Sequence, residues 1–237
     1  MKRFLSVVVA AAVLGCMGSV ARAEEEGAAE GSRPEIVVGL KTWMNKMKRE
    51  AAGESITSNN ILLVGPAVEV ECSKTHMFAE ASYMVSASDY KVSVTEFDPA
   101  LGSDVVVDKK ISRRDIDLAV GYQFNHNVGA FVGYRDSELK EEGMKETSSG
   151  ALIGVRGSVP VNEELSVFGK ASYLFTRTKS DLGTEDAPGW IAQLGVKYAF
   201  TKQIAAALGY QLETTKTKDT DVKDTFSGAT LDVAYTF

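Results

Sequence analysis

From Ile36 to the end of the chain, apolar residues alternate with small or polar residues in one segment after another. A period of two is typical of β-strands with one apolar face, because successive side chains of a strand point to opposite sides. Each segment has about ten residues, the length of a tilted strand that crosses a bilayer. We predict strands at Ile36–Met44, Asn60–Glu71, Met77–Ser88, Ser112–Phe124, Val128–Asp136, Gly150–Val159, Leu165–Arg177, Trp190–Phe200, Ile204–Thr215 and Phe226–Phe237.

The connections between these strands alternate between short and long. The short ones are Ser73–His76, Asn125–Asn127, Pro160–Glu164 and Thr201–Gln203, and the long ones are Asn45–Asn59, Asp89–Ile111, Ser137–Ser149, Thr178–Gly189 and Lys216–Thr225. Short periplasmic turns and long outer loops are typical of bacterial outer-membrane barrels. The pattern therefore predicts an all-β fold, a transmembrane antiparallel up-and-down barrel of ten strands with both termini in the periplasm. A barrel of eight strands is the alternative, but it discards two well-patterned segments.

Aromatic residues fall on two levels of this barrel. Three strands end in a Tyr-x-Phe pair before a short turn or the C-terminus, and these pairs are Tyr122, Phe124, Tyr198, Phe200, Tyr235 and Phe237. Strands that run the other way carry Tyr83, Tyr134, Tyr173 and Tyr210 near their far ends. Amphipathic rings are favoured at membrane interfaces, so the tyrosines predict two girdles. A soluble β-sandwich, the competing fold, would need no girdles.

The N-terminus has the features of a secretory signal peptide. Lys2 and Arg3 precede an apolar run, and Ala21-Arg22-Ala23 offers small residues to a signal peptidase. We predict a signal peptide at residues 1–23, a disordered acidic leader at 24–35 and a barrel domain at 36–237. A lipoprotein cut before Cys16 is the alternative, although Leu14 fits that signal poorly.

Composition excludes several other classes of protein. Removal of residues 1–23 leaves 23 basic and 32 acidic residues, so no positive excess is present to bind nucleic acid. A single cysteine, Cys72, remains, which excludes a domain stapled by intrachain disulfides. Beyond residue 23 no apolar stretch reaches the roughly 18 residues of a membrane-spanning helix.

The polar faces of the predicted strands carry charged residues of both signs. They are Lys41, Glu69, Glu71, Glu80, Asp117, Arg135, Arg156, Lys170, Lys197, Glu213 and Asp232. Charges are costly against lipid, so these eleven residues are expected to line the bore. A turn centred on His126 places Asp117 opposite Arg135, and we predict a cross-strand ion pair there.

Two interpretations of the interior remain open. Ion pairs could fill the bore, since eight strands already enclose just enough room for side chains. Alternatively, small inward residues could leave a narrow polar passage, and these are Gly39, Gly65, Ala119, Gly121, Gly129, Gly133, Gly154, Gly195, Ala207 and Gly209. Pro66 lies inside the second predicted strand, where its missing N–H calls for a bulge or a later strand start.

The C-terminal strand has the pattern Leu231-x-Val233-x-Tyr235-x-Phe237. Together with the signal peptide and the alternating strands, it resembles the small outer-membrane β-barrel proteins of Gram-negative bacteria. The resemblance implies an integral protein of the outer membrane that contacts outer-membrane lipid. It also implies that Tyr235 and Phe237 belong to a signal for the barrel assembly machinery. We expect a monomer with no nucleic-acid partner.

The sequence offers little catalytic chemistry. A histidine base for a protease or lipid hydrolase should lie near the outer rim, but His76 and His126 both fall in predicted periplasmic turns. The chain thus resembles the ten-stranded omptin proteases only in strand count. It has no glycine-rich phosphate loop and no zinc or calcium spacing. We therefore expect that it is not an enzyme and that it has no catalytic residue, cofactor or metal.

Two functions follow from these expectations. The first is a narrow, passive porin-like channel for small solutes, or a general envelope protein without catalysis. The alternative is a recognition or adhesion protein with a plugged barrel, which binds an extracellular ligand. Its contact would lie on a projecting hairpin, Tyr90–Ile111, because Val92–Phe97 and Val105–Val107 flank a turn sequence.

Overall fold

A computed structural model describes residues 34–98, 103–141, 144–181 and 183–237. It contains strands β1 (Glu35–Ala51), β2 (Glu54–Thr57), β3 (Ile61–Cys72), β4 (Met77–Ser86), β5 (Tyr90–Asp98), β6 (Ser103–Asn125), β7 (Val128–Glu141), β8 (Met144–Pro160), β9 (Leu165–Ser180), β10 (Gly183–Asp186), β11 (Gly189–Ala199), β12 (Ile204–Lys216) and β13 (Lys223–Thr236). Within these ranges, no helix is long and apolar enough to cross a membrane. The predicted signal peptide and all but the last two residues of the predicted leader lie outside the described residues.

Ten of the strands form a closed ring in which every pairing is antiparallel. The order around the ring is β1, β3, β4, β6, β7, β8, β9, β11, β12 and β13, and β13 pairs with β1 to close it. The closing seam is long, because it extends from Val37↔Thr236 to Glu50↔Lys223. The ring confirms the ten-stranded barrel and excludes the eight-stranded alternative.

The ring strands extend further toward the long loops than hydropathy predicts. β6 has 23 residues, while β1 and β8 have 17 each. The extensions contain only scattered apolar residues such as Met47 and Ile111, so the alternation pattern does not extend into them, but their backbones continue the ladder. Three additional strands, β2, β5 and β10, each pair with one ring strand at this long-loop end. The predicted hairpin is present, since β5 pairs with β6 from Tyr90↔Ile111 to Asp98↔Ser103.

Pro66 lies within β3 and pairs with Leu40 of β1. On the β4 side the ladder is interrupted between Val64↔Val85 and Ala67↔Ser82, and the register is the same on both sides of the gap. Our expectation of a bulge or a later strand start is therefore wrong. The ladder omits the pairing where Pro66 has no N–H to donate.

The outer surface carries apolar and aromatic side chains at two levels. The six residues of the Tyr-x-Phe pairs are all exposed. Within each pair the rings meet edge to face, with centroids 4.8 to 5.7 Å apart. At the other level Tyr83, Tyr173 and Tyr210 are exposed, while Tyr134 is half-buried. Apolar side chains between the two levels complete a band that suits contact with lipid.

Substitution of Gly228 on β13 tests how closely β13 and β1 approach at the closing seam. A Cβ at this position would overlap the carbonyl oxygen of Met44 on β1. We expect Gly228→Val to lower the free energy of unfolding by at least about 2 kcal/mol, because the seam strands cannot separate without losing ladder hydrogen bonds. Urea titration of the protein folded in lipid vesicles measures this loss.

Gly169→Val is the matched control for Gly228→Val. A Cβ at Gly169 would meet its nearest neighbours only at 3.7 Å, which is ordinary contact. A similar loss of stability in both variants would show that close contact between β13 and β1 is not the cause of the loss in Gly228→Val.

Candidate functional site in the barrel interior

Apolar side chains fill one side of the bore near the long loops, and we call them the outer plug. It consists of Trp43, Met47, Ile61, Leu63, Met84, Tyr90, Val92, Ile111 and Phe226, and each is at most 7% exposed. On the opposite side a small polar pocket of about 30 Å³ is lined by residues that include Glu146, Thr178 and Asp224. Tyr90 and Val92 come from β5, so the base of the hairpin is part of the plug. The hydroxyl of Tyr90 donates a hydrogen bond of 2.6 Å to Asn45 Oδ1 on β1. The plug therefore joins the hairpin to the barrel wall.

A network of four buried charges lies against the outer plug. Arg113 donates to Asp115 at 2.9 Å and to Glu213 at 2.7 Å. Arg135 donates to Glu213 at 2.7 Å and to Asp115 at 3.2 Å. The guanidinium of Arg113 also lies 3.9 Å from the ring centroid of Phe226 in the plug. We call Arg113, Asp115, Arg135 and Glu213 the central network.

The central network connects opposite walls of the barrel. Arg113 and Asp115 occupy successive inward positions of β6, and Arg135 lies on the adjacent strand β7. Glu213 lies on β12, which is five strands away from β6 around the ring of ten. Ion pairs from β6 and β7 to β12 therefore cross the bore and occlude it.

The predicted ion pair between Asp117 and Arg135 is present. The two residues are cross-strand partners on β6 and β7, as the turn centred on His126 predicts. Arg135 Nη1 donates to both carboxylate oxygens of Asp117, at 2.7 and 2.9 Å. Arg135 thus links the central network to the region below it.

Two further ion pairs cross the bore nearer the short turns. Arg156 on β8 pairs with Glu69 on β3 and lies 3.4 Å from Glu71. Lys170 on β9 pairs with Glu80 on β4. Each cation also lies over an aromatic ring of the interior, at 3.4 Å for Arg156 over Phe78 and 4.7 Å for Lys170 over Phe131.

Another crossing lies at the long-loop mouth. Arg49 donates to both oxygens of Asp224 on the neighbouring strand β13, at 2.7 and 2.6 Å. The same guanidinium reaches Glu146 on β8 at 3.0 Å, across the ring. The mouth is thus bridged above the outer plug.

The eleven charges expected in the bore all lie on inward positions. Lys41, Glu69, Glu80, Asp117, Arg135, Lys170, Lys197 and Asp232 line one cavity, while Glu71, Arg156 and Glu213 make the interior ion pairs described above. Arg113 and Asp115 were not among the predicted residues, although they share the parity of Asp117 on β6, which indicates that they face inward. Arg49, Glu146 and Asp224 were not predicted because they lie beyond the predicted strand ends.

The cavity occupies the half of the bore near the short turns. Its volume is about 230 Å³, and it extends from Trp43 and Met84, at the base of the plug, to Val37 and Ala234 near the short-turn ends of β1 and β13. The interior therefore differs between its two halves. The half near the long loops contains the apolar plug and only a small polar pocket of about 30 Å³, and the other half contains the larger polar space.

The long loops are joined to one another by polar contacts outside the ring. Asp186 accepts hydrogen bonds from Arg177 at 3.0 Å and Lys218 at 3.3 Å. These bonds hold the pKa of Asp186 below its ordinary value. The bond from Arg177 has the largest effect, and the bond from Lys218 has the next largest. Glu185 accepts hydrogen bonds from the backbone N–H groups of Asp219 and Thr220.

Residues 62–237 match the family model described as outer membrane protein beta-barrel domain. Among curated proteins, none matches this chain. Among solved structures, the chain is similar to the outer membrane protease OmpT from Escherichia coli, with 12% identity, a TM-score of 0.61 and coverage of 86% of this chain and 96% of that chain. It is also similar to the P. putida toluene transporter TodX, with 9% identity, a TM-score of 0.33 and coverage of 89% and 90%. The likeness to OmpT shows the fold alone, and the likeness to TodX carries no argument.

The comparison with OmpT corrects one expectation from the sequence. From the positions of the two histidines and the missing cofactor motifs we expected that the chain is not an enzyme. This expectation is wrong, because a barrel of the same fold is a protease. At 12% identity no catalytic residue or substrate carries over to this chain. His76 and His126 lie in short turns. The ring of His76 packs against that of Tyr122, with 6.0 Å between the two ring centroids. The architecture itself therefore does not exclude catalysis.

Substitution of two adjacent arginines of β6 tests how much the central network contributes to the stability of the barrel. Arg113 has a side chain that is 0% exposed, and Arg114 beside it has one that is 36% exposed. We expect Arg113→Met to lower the free energy of unfolding by about 3–5 kcal/mol, because Asp115 and Glu213 each lose a partner in the bore. Arg114 pairs with Asp136 on the outer face, so Arg114→Met is expected to cost about 0–1 kcal/mol. Urea unfolding followed by tryptophan fluorescence measures both losses, and equal losses would refute the network's importance.

Proposed function

This chain belongs to the outer membrane protein beta-barrel domain family, and we propose that it is a sealed barrel of the outer membrane that makes its functional contact at the cell surface. The observation that carries this proposal is the outer plug, which fills the bore together with the central network. Of the two functions expected from the sequence, the plugged recognition protein agrees better with this interior than the passive channel does.

An ion that passed through the bore would have to displace buried side chains. Trp43, Leu63 and Tyr90 in the plug are 0–1% exposed, so no water-filled path runs between them. Below them, both carboxylates of the central network are held by two arginines. A passing ion would need to break these buried pairs, and breaking one costs several kcal/mol. Passive diffusion through such a bore is too costly to be its role.

The hairpin of β5 and β6 is the surface that we assign to the contact. In an outer-membrane barrel the long loops face the exterior, which puts both termini in the periplasm. The backbone N–H of Asn59 donates a hydrogen bond to the carbonyl oxygen of Lys91, and Asn59 Oδ1 accepts one from the backbone N–H of Lys91. Beyond Lys91, β5 pairs only with β6 among the described residues. A strand edge of this kind offers backbone donors and acceptors to an extended peptide.

Planar-bilayer recording tests whether the barrel is sealed. We expect the purified, folded protein to give no conductance steps, because the plug and the central network close the bore. The double variant Trp43→Ala with Phe226→Ala removes two large plug side chains and should give measurable steps. Trp190→Ala is the matched control, since Trp190 is exposed on the outer wall and its loss leaves the plug intact. Regular steps from the unaltered protein would reject the sealed barrel in favour of the channel.

Cysteine labelling on intact cells tests the orientation of the hairpin. Lys91 is exposed on β5, and Lys202 is exposed in a short turn at the opposite end. We expect Lys91→Cys to react with a membrane-impermeant maleimide on intact cells and Lys202→Cys to react only after permeabilisation. The native Cys72 is buried, so the unaltered chain gives the background signal. Labelling of Lys202→Cys but not of Lys91→Cys on intact cells would contradict the proposed orientation, because it would place the short turns outside the cell.

A further inference from the structure

The outward face of β6, β7, β8 and β9 changes from apolar to charged just beyond the aromatic level near the long loops. One row of cross-strand partners marks the edge of the apolar band, and it consists of Leu118, Tyr134, Ala151 and Phe175. Beyond this row, as far as β6 pairs with β7, the outward positions of the four strands carry five cations and two acids, and only Ile116 among them is apolar. We call the five cations the basic face, and they are Arg114, Lys140, Lys145, Arg177 and Lys179.

The two acids among these outward positions are already paired. Arg114 lies 3.0 Å from Asp136 and 3.1 Å from Glu138. Lys145 lies 2.6 Å from the same carboxylate oxygen of Glu138, and its side chain is 56% exposed. Since Glu138 is shared between two cations, the exposed ammonium group of Lys145 has donors left for a second anionic group.

Lys140 and Lys179 add positive charge that no acid compensates. Both are exposed, and neither makes an ion pair with another described residue. Arg177 pairs with Asp186 on β10 at 3.0 Å, but its side chain is 75% exposed, and exposed pairs of this kind contribute little. The five cations therefore have only three acidic partners, whereas the chain beyond residue 23 has 32 acidic and 23 basic residues. The excess of positive charge is thus a local feature of this face.

Three cations of the basic face surround Thr147 on β8. Lys179 is the cross-strand partner of Thr147, and Arg177 is the partner of Ser149, the next outward position of β8. Lys145 precedes Thr147 by two residues and lies on the same face. Opposed Cβ atoms of an antiparallel pair are about 5 Å apart, so these three long side chains can reach one point above Thr147. Three cations and a hydroxyl group suit the oxygens of a phosphate group.

The height of the basic face above the apolar band selects a lipid as its occupant. Tyr134 and Phe175 lie at the level of the membrane interface, where aromatic rings are favoured. Arg177 and Lys179 follow Phe175 on β9 by two and four residues, which is about 5–10 Å in height for a tilted strand. Lipid headgroups occupy this level of the bilayer. The phosphate group that these cations suit is therefore supplied by the membrane itself.

We propose that the basic face binds the phosphate group of an anionic lipid headgroup in the leaflet next to the long loops, with the phosphate above Thr147. The three cations around Thr147 hold the phosphate oxygens. The acyl chains of the lipid pack against Ile153 and Val155, which are exposed lower on the outward face of β8. This site lies on the outer wall, so it is independent of the sealed bore and of the contact assigned to the hairpin.

Quenching of tryptophan fluorescence by brominated lipids tests this site in the full protein folded in vesicles. Trp190 is exposed on β11 and lies in the same cross-strand row as Tyr173 and Ile153, whereas Trp43 is buried in the bore and gives a constant background. In vesicles of phosphatidylcholine and brominated phosphatidylglycerol, we expect the lipid beside Trp190 to be enriched in phosphatidylglycerol at least about threefold over the bulk, because cations at the membrane surface attract anionic lipids. Exchange of the bromine to phosphatidylcholine should give the complementary decrease in quenching.

Two double variants separate this site from the net charge of the protein. Lys145→Gln with Lys179→Gln should abolish the enrichment, because two of the three cations around Thr147 lose their charge. Lys46→Gln with Lys48→Gln is the matched control, since these exposed lysines lie on the outward face of β1, which is opposite β8 in the ring. It removes the same charge and should keep the enrichment. All four side chains are exposed, so both double variants are expected to fold.

Three results would overturn the lipid site. The first is an unaltered protein that shows no enrichment of phosphatidylglycerol beside Trp190. The second is an equal loss of enrichment in the two double variants, which would mean that the overall charge attracts the lipid. The third is a loss of enrichment when inorganic phosphate replaces chloride at constant ionic strength, which would mean that the free anion occupies the site.

Discussion

Ion pairs that cross the bore are the interaction on which the rest of this structure depends. A closed ring of ten strands satisfies the backbone hydrogen bonds along its wall. Its interior is wider than that of an eight-stranded barrel, which side chains just fill. At three levels an arginine reaches an acid across the bore, and these arginines are Arg49 at the mouth, Arg113 in the centre and Arg156 near the short turns. Each pair compensates charges that would be costly alone in the bore. The wall and its filling therefore stabilise each other.

The two halves of the interior solve this problem in different ways. Near the long loops, the β5–β6 hairpin folds Tyr90 and Val92 into the bore, and apolar packing takes up the remaining space. Near the short turns no loop is long enough to do this. That half is filled only by side chains of the ring, and many of them are glycine or alanine. The difference in loop length thus explains why a cavity lies at one end and a plug at the other.

Strand parity and turn centres could be predicted from the sequence because they are local properties. A period of two fixes which residues face inward, and the turn at His126 fixes the register of Asp117 against Arg135. The central network could not be predicted in the same way. Arg113 and Glu213 are separated by 100 residues, and only closure of the ring brings their strands to opposite walls. The sequence predicted the β5–β6 hairpin, but not that Tyr90 and Val92 at its base pack inside the bore.

Closure at one end also limits what the cavity can do. A solute that enters from the short turns meets Trp43, Met84 and the central network, so it must leave by the route through which it came. A pocket that is closed at this end provides no path across the barrel. Transport through it would require the ion pairs of Arg113 and Arg135 to open together. These two arginines share Glu213 as a partner, so removal of that one carboxylate weakens both halves of the barrier at once.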